Sequence, residues 1–261
     1  MTRKLGANSA GRVFEILTKF LQSKVGGASA DIWKNVLSIP STGNDTRDTH
    51  AVVRFLESIM RELDKVDESY LALGLPDRLF VPYMNKLHSA LQIGLLSHPK
   101  GNTEQYLDTT VMLSLHWWSI VLPDDDITLV NEDMAQLTAQ IEALEIALSK
   151  DGIPPGLRGY AERLLSELRA AVLLSAVEGA KPLREAMRKA VSDAHFEEEA
   201  LKTELQDSGT KPEVQSVVSS VSAAMKTMAN IVGEAERFSK SYGFLITKAG
   251  EAGDMLAKLL S

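Results

Sequence analysis

The sequence contains no cysteine. Without it the chain cannot form a disulfide framework, a thiolate zinc site, an iron–sulfur cluster or a cysteine nucleophile. The absence fits the reducing cytoplasm, which is therefore the expected location. A chain of 261 residues with 44% hydrophobic content can bury one large core or two smaller ones without such supports.

An excess of basic residues is also missing, since the formal net charge is -7. A general nucleic-acid-binding surface needs positive charge to neutralise phosphates, so a nucleic-acid partner is disfavoured. Long apolar runs are missing too. The longest nearly apolar run, Val111 to Leu122, has twelve residues, whereas ~20 are needed to cross a bilayer. We interpret this run as a buried helix.

Strand patterns are missing as well, because apolar residues recur with helical rather than alternating spacing almost throughout. The expected fold is therefore all-α, a multi-helix bundle of about nine helices. Glycine and proline mark the boundaries, since glycine suits the end of a helix and proline its start. The predicted helices span residues 10–25, 29–39, 46–73, 77–97, 103–122, 126–150, 155–178, 182–206 and 212–260.

A seven-residue hydrophobic repeat, as in coiled coils, runs along three of these helices and predicts lengthwise packing on a partner helix. In helix 46–73 the repeat consists of Val52, Leu56, Ile59, Leu63, Val66, Tyr70 and Leu73. In helix 126–150 it consists of Val130, Met134, Leu137, Ile141, Leu144 and Leu148.

The last helix, 212–260, combines this repeat with a second apolar row. Unbroken it would reach ~73 Å, so it either bends, near Gly233 or Gly243, or projects and pairs with another molecule. We therefore expect a helical body, residues 1–209, and a long amphipathic helix, residues 210–261, that packs on the body or on a partner. The residues expected to contact a partner are Val217, Val221, Met225, Met228, Ile231, Val232, Phe238, Tyr242, Leu245 and Ile246.

Catalytic and cofactor motifs are not found. There is no phosphate-binding glycine loop and no nucleophile elbow, and no two of the five histidines have the i, i+4 spacing of a helical zinc site. We therefore expect no metal and no cofactor, and favour a protein that is not an enzyme.

The consecutive residues His116, Trp117 and Trp118 are a candidate pocket wall within the apolar run. We expect His116 to be a buried, hydrogen-bonded side chain, with ligand binding as the alternative. Core packing is favoured for both tryptophans; alternatively, one ring packs in the core and the other lies at an interface.

Arg188 and His195 are candidate catalytic residues, two turns apart on helix 182–206 and so on nearly the same face. This arrangement in an all-α chain is similar to the HEPN ribonucleases, whose motif is an arginine followed after four to six residues by a histidine at a metal-free dimer cleft. The resemblance covers this one helix, and Lys189 replaces the polar residue usual after the arginine. It implies that His195 is the general acid or base and that Arg188 stabilises developing charge.

Three functions follow from these patterns. We favour a non-enzymatic interaction or regulatory subunit that docks on a protein partner, or self-associates into an oligomer, through its carboxy-terminal helix. The second is a membrane-active helical protein of the pore-forming type, whose tail or 111–122 region engages lipid. The tail is not rich in lysine, which weakens attraction to anionic lipid and makes a membrane partner less favoured. The third is the HEPN-like ribonuclease.

Overall fold

The computed structural model describes residues 7–39, 41–124, 127, 129–208 and 211–233. Across these residues there are eleven α-helices and no β-strand, so the all-α prediction is confirmed. The chain divides into two compact units. Unit 1 comprises Met1–Thr128 and Leu173–Gly179, and unit 2 comprises Leu129–Val172 and Ala180–Ser261.

Unit 1 is organised around its first helix. The helices of this unit are α1 (Ser9–Gln22), α2 (Ser29–Val36), α3 (Asp45–Ala72), α4 (Val81–Ala90), α5 (Lys100–Glu104) and α6 (Thr109–Val121). Helix α1 contacts α2, α3 and α6, and its Val13, Leu17 and Phe20 are fully buried. The repeat in α3 is buried from Val52 to Tyr70, as its spacing predicts. Leu73 lies just beyond the helix and is exposed.

An ionic network around the buried carboxylate of Glu62 helps hold Leu173–Gly179 in unit 1. The Nε of Arg12 donates a hydrogen bond to the backbone oxygen of Val177 at 3.0 Å. Arg12 also pairs with Glu62, whose side chain is completely buried, and Lys65 pairs with the same carboxylate. A buried carboxylate is tolerated when cations and hydrogen bonds compensate its lost hydration. These pairs therefore favour the arrangement of α1, α3 and residues 173–179 seen here.

Unit 2 is a second helical bundle with its own core. It contains α7 (Asn131–Leu148), most of α8 (Pro155–Glu178), α9 (Lys181–Phe196), α10 (Glu198–Ser208) and α11 (Pro212–Val232). Helix α11 packs mainly on α7 and also on α9. In α7 the predicted repeat is buried at Leu137, Ile141, Leu144 and Leu148, whereas Val130 precedes the helix and is exposed.

Three predicted helices are interrupted, which is why the described residues contain more helices than the nine expected. The range 77–97 contains a 3₁₀ turn, α4 and a second 3₁₀ turn, with Pro82 in the first turn of α4. Proline fits the first turn of a helix but not its interior. The range 103–122 contains the end of α5, which begins earlier at Lys100, and all of α6, with Asp108 as the amino-terminal cap of α6. The range 182–206 divides at Glu197 into α9 and α10.

Helix α11, the described part of the predicted carboxy-terminal helix, ends at Val232. Gly233 adopts a left-handed conformation with φ 73°, and its N–H donates to the oxygen of Asn230 at 3.2 Å. Glycine adopts this conformation without a Cβ penalty and commonly ends helices. The predicted helix 212–260 is therefore interrupted at Gly233, one of the two positions at which a bend is expected from the sequence. Residues 234–260 lie outside the described residues. The expected boundary between residues 209 and 210 lies outside the described residues and stays a prediction.

The start of α8 is capped by a side chain from α10. The two carboxylate oxygens of Glu204 accept hydrogen bonds from the N–H groups of Gly156 and Leu157, at 2.9 and 2.8 Å. A negative charge at this end also interacts favourably with the helix dipole. A Cβ on residue 156 would lie 2.8 Å from Oε1 of Glu204, so any other residue there would displace this carboxylate from the cap.

We expect Gly156→Ala and Gly159→Ala to have different effects on stability. At position 159 a Cβ would lie 3.5 Å from Arg163, an ordinary contact, so alanine should stabilise the helix by about 0.5–1 kcal/mol. At position 156 the displaced Glu204 loses its two hydrogen bonds, which offsets that gain by about 0.5–2 kcal/mol. Urea unfolding followed by circular dichroism measures both.

The matched background is Glu204→Ala. In that background Gly156→Ala no longer displaces a cap, and its effect on the free energy of unfolding should approach that of Gly159→Ala. Equal stabilisation by the two alanines with Glu204 intact would show that this carboxylate does not cap α8.

Candidate interaction surface

Helix α6 contains no charged side chain from Thr109 to Val121, and polar residues just outside it hold its ends. At its amino end the carboxylate of Asp108 accepts hydrogen bonds from the N–H groups of Thr110 and Val111, at 2.8 and 3.0 Å. Lys86 of α4 donates to the same carboxylate at 2.6 Å. Asp108 thus joins the start of α6 to α4.

The hydrogen bond from Lys86, followed by that from the Val111 backbone, lowers the pKa of Asp108 below its ordinary value. A lowered folded-state pKa means that the ionised cap stabilises the fold at pH values above the unfolded-state pKa. This contribution is lost as the pH falls through the folded-state pKa. The amino-terminal anchor of α6 is therefore intact at neutral pH.

Asn8 anchors the carboxy-terminal end of α6. Its Nδ2 donates to the backbone oxygens of Ser119 and Leu122, at 3.2 and 3.1 Å. Its Oδ1 accepts from the N–H of Gly11 at 3.0 Å and so caps α1. The last carbonyls of a helix have no partner within the helix, and Asn8 satisfies two of these while it starts α1. With both ends held, the rotation of α6 about its axis is fixed.

One face of α6 packs into the core of unit 1. Val111, Leu115, Trp118 and Leu122 are buried. Trp118 is only 1% exposed and belongs to an aromatic cluster. Its ring centroid lies 4.6 Å from that of Phe80, 6.2 Å from that of Tyr70 and 6.5 Å from that of Tyr83.

The opposite face of α6 is apolar and exposed. Leu113, Trp117 and Val121 are 64%, 44% and 40% exposed. Their i, i+4, i+8 spacing places them in one row along the helix. The interpretation of residues 111–122 as a buried helix is therefore wrong for this row, because α1 and α4 cover only the other side of α6. We call Leu113, Trp117 and Val121 the α6 face.

Of the three exposed residues of the α6 face, only Trp117 is a candidate site residue from the sequence; Leu113 and Val121 are not. Trp117 and Trp118 lie on different sides of α6, because successive helical residues are rotated by about 100°. Nδ1 of His116 is buried and has no hydrogen-bond partner among the described residues. Its ring instead packs on Phe14, with centroids 4.9 Å apart. The expected hydrogen bond of His116 is thus not made at Nδ1. Because Trp117 and Trp118 lie on different sides of α6, His116, Trp117 and Trp118 do not together line one pocket.

The residues of α11 expected to contact a partner lie in the core of unit 2. Val217, Val221, Met225 and Met228 are at most 1% exposed, and Val232 is 8% exposed. Ile231 is half-buried against the same core. The apolar stripe found in the sequence is covered by α7 and α9, so these six side chains are not exposed to a partner in this structure. The other four, Phe238, Tyr242, Leu245 and Ile246, lie outside the described residues.

The two residues that resemble the HEPN motif are both on the surface of α9. Arg188 is exposed, and the side chain of His195 is 80% exposed, with Nδ1 3.7 Å from Oε2 of Glu198. Seven residues along a helix correspond to an axial separation of about 10 Å. A catalytic cleft would need a second copy beside this face, and the ribonuclease assignment stays a prediction.

Neither a metal site nor a membrane span is found in the part of the chain that the structure describes. There, no group of three or more histidine, aspartate or glutamate residues is placed to hold a metal ion. No described helix is both long and apolar enough to cross a membrane. The chain matches no protein-family model, no curated protein and no solved structure. The function of the chain must therefore be inferred from the geometry of the chain itself.

Two adjacent tryptophan substitutions should separate the faces of α6. We expect Trp118→Ala to lower the free energy of unfolding by about 3–5 kcal/mol, because it leaves a cavity inside the aromatic cluster. Trp117→Ala should change it by about 1 kcal/mol or less, because its ring is partly in solvent. Urea unfolding followed by circular dichroism measures both. Equal losses would contradict the orientation of α6 described here.

Proposed function

We propose that this chain is a non-enzymatic helical protein–protein interaction subunit and that the α6 face is its docking surface. The observation that carries the proposal is the row of three large, exposed apolar side chains on a helix without charge. Removing apolar surface from water contributes roughly 25 cal/mol per Å². Contiguous exposed apolar surface on a soluble protein commonly marks an interaction site.

The shape of the α6 face indicates the kind of partner. Side chains spaced by four residues form a ridge that packs into the groove of another helix. Trp117 lies in the middle of this ridge, and tryptophan is prominent among residues that dominate binding energy at the centre of interfaces. An apolar helix face is therefore the surface that fits best.

The anchors of α6 support this role. Asn8 and Asp108 hold the helix through its ends, so the exposed row is held in place before a partner arrives. A preorganised surface loses less conformational entropy on binding than one that must first order. A rigid helix fixed at both ends suits a binding module better than a segment that must move.

The carboxy-terminal stretch remains a second proposed docking element. Phe238, Tyr242, Leu245 and Ile246 follow Gly233, where α11 ends. The spacing of these four residues favours an amphipathic contact. Because the buried stripe of α11 is occupied within unit 2, we propose that docking through this end of the chain uses these four residues.

The exposed row on α6 also favours membrane binding as a second candidate function. Tryptophan is common at membrane interfaces, and apolar helix faces insert among lipid headgroups. Helix α6 carries no lysine or arginine that would attract anionic lipid. Protein docking is therefore the favoured function of the α6 face.

The proposed function predicts that Leu113→Glu prevents association. A charge placed on the α6 face would have to be buried in the complex at a large cost. We expect the amount of protein that co-purifies with the tagged full chain from native lysate to fall at least about tenfold, equivalent to roughly 1.4 kcal/mol. Quantitative mass spectrometry of the eluates measures this.

The control is Ile146→Glu on α7, since Ile146 is 66% exposed and Leu113 is 64% exposed. It should leave co-purification unchanged. A combined Phe238→Glu and Tyr242→Glu variant tests the carboxy-terminal element separately. Co-purification that persists in Leu113→Glu would contradict docking through α6. Flotation of the wild type, but not of Leu113→Glu, with phosphatidylglycerol vesicles would assign the face to membranes.

A further inference from the structure

We propose that Asp151 is a covalent modification site, where aspartate isomerises spontaneously to isoaspartate through a cyclic imide formed with the backbone nitrogen of Gly152. The pair lies in the loop between α7 and α8 and does not depend on the docking role of the α6 face. Asp151 is the only aspartate in the chain that is followed by glycine, and no asparagine is followed by glycine.

The reaction needs only water as a co-reactant. The nitrogen of Gly152 attacks Cγ of Asp151, and the new C–N bond closes a five-membered succinimide ring. The nitrogen gives up its proton and the protonated carboxyl group gives up hydroxide, so one molecule of water leaves. Water then adds to one of the two ring carbonyls. Opening at the main-chain carbonyl leaves the peptide link running through the side chain, which is isoaspartate, with no net change in mass.

The loop leaves both reacting groups accessible. Helix α7 ends at Leu148 and α8 begins at Pro155, and Asp151 and Gly152 between them are exposed. Within the described residues, no hydrogen bond or ion pair engages the side chain of Asp151 or the N–H of Gly152. In a helix interior that N–H would be bonded to the carbonyl four residues earlier, which restrains the nitrogen. Exposed loops of small and polar residues lack this restraint.

Gly152 also gives the ring room to close. Apart from its neighbours in the chain, no atom lies within 4 Å of the position that a Cβ would occupy there. Its φ of 85° is one that residues with a side chain rarely adopt. The loop conformation thus favours glycine at this position, and glycine places no side chain against the attacking nitrogen.

Isoaspartate adds one methylene group to the main chain between two fixed points. Before the pair, Arg158 donates to the backbone oxygens of Leu148 and Lys150, at 2.7 and 2.6 Å. After the pair, Ile153 is buried in the core of unit 2. The extra length must be absorbed between these contacts and strains them. We therefore expect the modification to destabilise unit 2, in which α7 is the main packing partner of α11.

Ageing of the purified full chain tests the proposal. The folded protein is incubated for several weeks at mildly acidic pH, and trypsin then releases residues 151–158, which follow Lys150 and end at Arg158. Isoaspartate appears as a second chromatographic peak of the same mass, identified by electron-transfer fragmentation. Unaged protein digested in parallel corrects for isomerisation during digestion. We expect a rate within about tenfold of that of a synthetic peptide spanning the same loop, a difference in barrier below roughly 1.4 kcal/mol.

A matched Asp–Gly pair placed inside a helix provides the control. Glu142 and Ala143 are both exposed within α7, so Glu142→Asp with Ala143→Gly creates the same dipeptide where the helix binds the N–H. In that variant the new pair should isomerise at least about tenfold more slowly than Asp151 of the same molecule. Circular dichroism confirms that the variant is folded.

Asp151→Glu tests the effect on stability, because its side chain would have to close a less favourable six-membered ring. After ageing, the wild type should unfold at a lower temperature than before, whereas Asp151→Glu should keep the midpoint of its fresh sample. An unchanged midpoint in a wild type that contains isoaspartate would contradict the predicted strain.

Two results would overturn the modification site itself. Isomerisation of Asp151 more than about tenfold slower in the folded chain than in the peptide would mean that the loop protects the pair. Equal rates at Asp151 and at the pair introduced into α7 would mean that the loop conformation does not select the site.

Discussion

Helix α6 has no charged side chain of its own, and Asn8 and Asp108 supply the polar contacts that fix its two ends. The helix is apolar on nearly every side, so hydrophobicity alone does not decide which side faces the core. The caps, together with the aromatic cluster around Trp118, select one orientation. That orientation buries one apolar row and leaves the row at Leu113, Trp117 and Val121 in solvent.

The regular helices of this chain could be predicted from local patterns. In α3 the spacing of apolar residues identified the side that is buried, because the other side of that helix is charged and must face water. Helix α6 lacks this contrast, and the same reasoning therefore misplaced its exposed face. The pattern of α11 was correctly recognised as an apolar stripe, but a stripe does not reveal whether its partner belongs to the same chain. Here the helix that packs on the stripe is mainly α7 of the same chain.

Contacts between residues far apart in sequence could not be predicted. Glu204 in α10 caps the start of α8, 48 residues earlier in the chain. Arg12 donates to the backbone oxygen of Val177, 165 residues later. In the sequence alone, Glu204 and Arg12 each resemble an ordinary charged surface residue. The role of each depends on a tertiary arrangement that local spacing does not encode. The same holds for Asn8, whose contact with the end of α6 depends on residues more than a hundred positions away.

Among the described residues, Leu113, Trp117 and Val121 are exposed to solvent. Hydroxyl-radical footprinting of the full chain at low concentration measures the solvent access of each tryptophan directly. We expect Trp117 to be modified much faster than Trp33 and Trp118, both of which are 1% exposed. Protection of Trp117 equal to that of Trp118 at low concentration would show that the α6 face is covered, and would contradict its role as a docking surface.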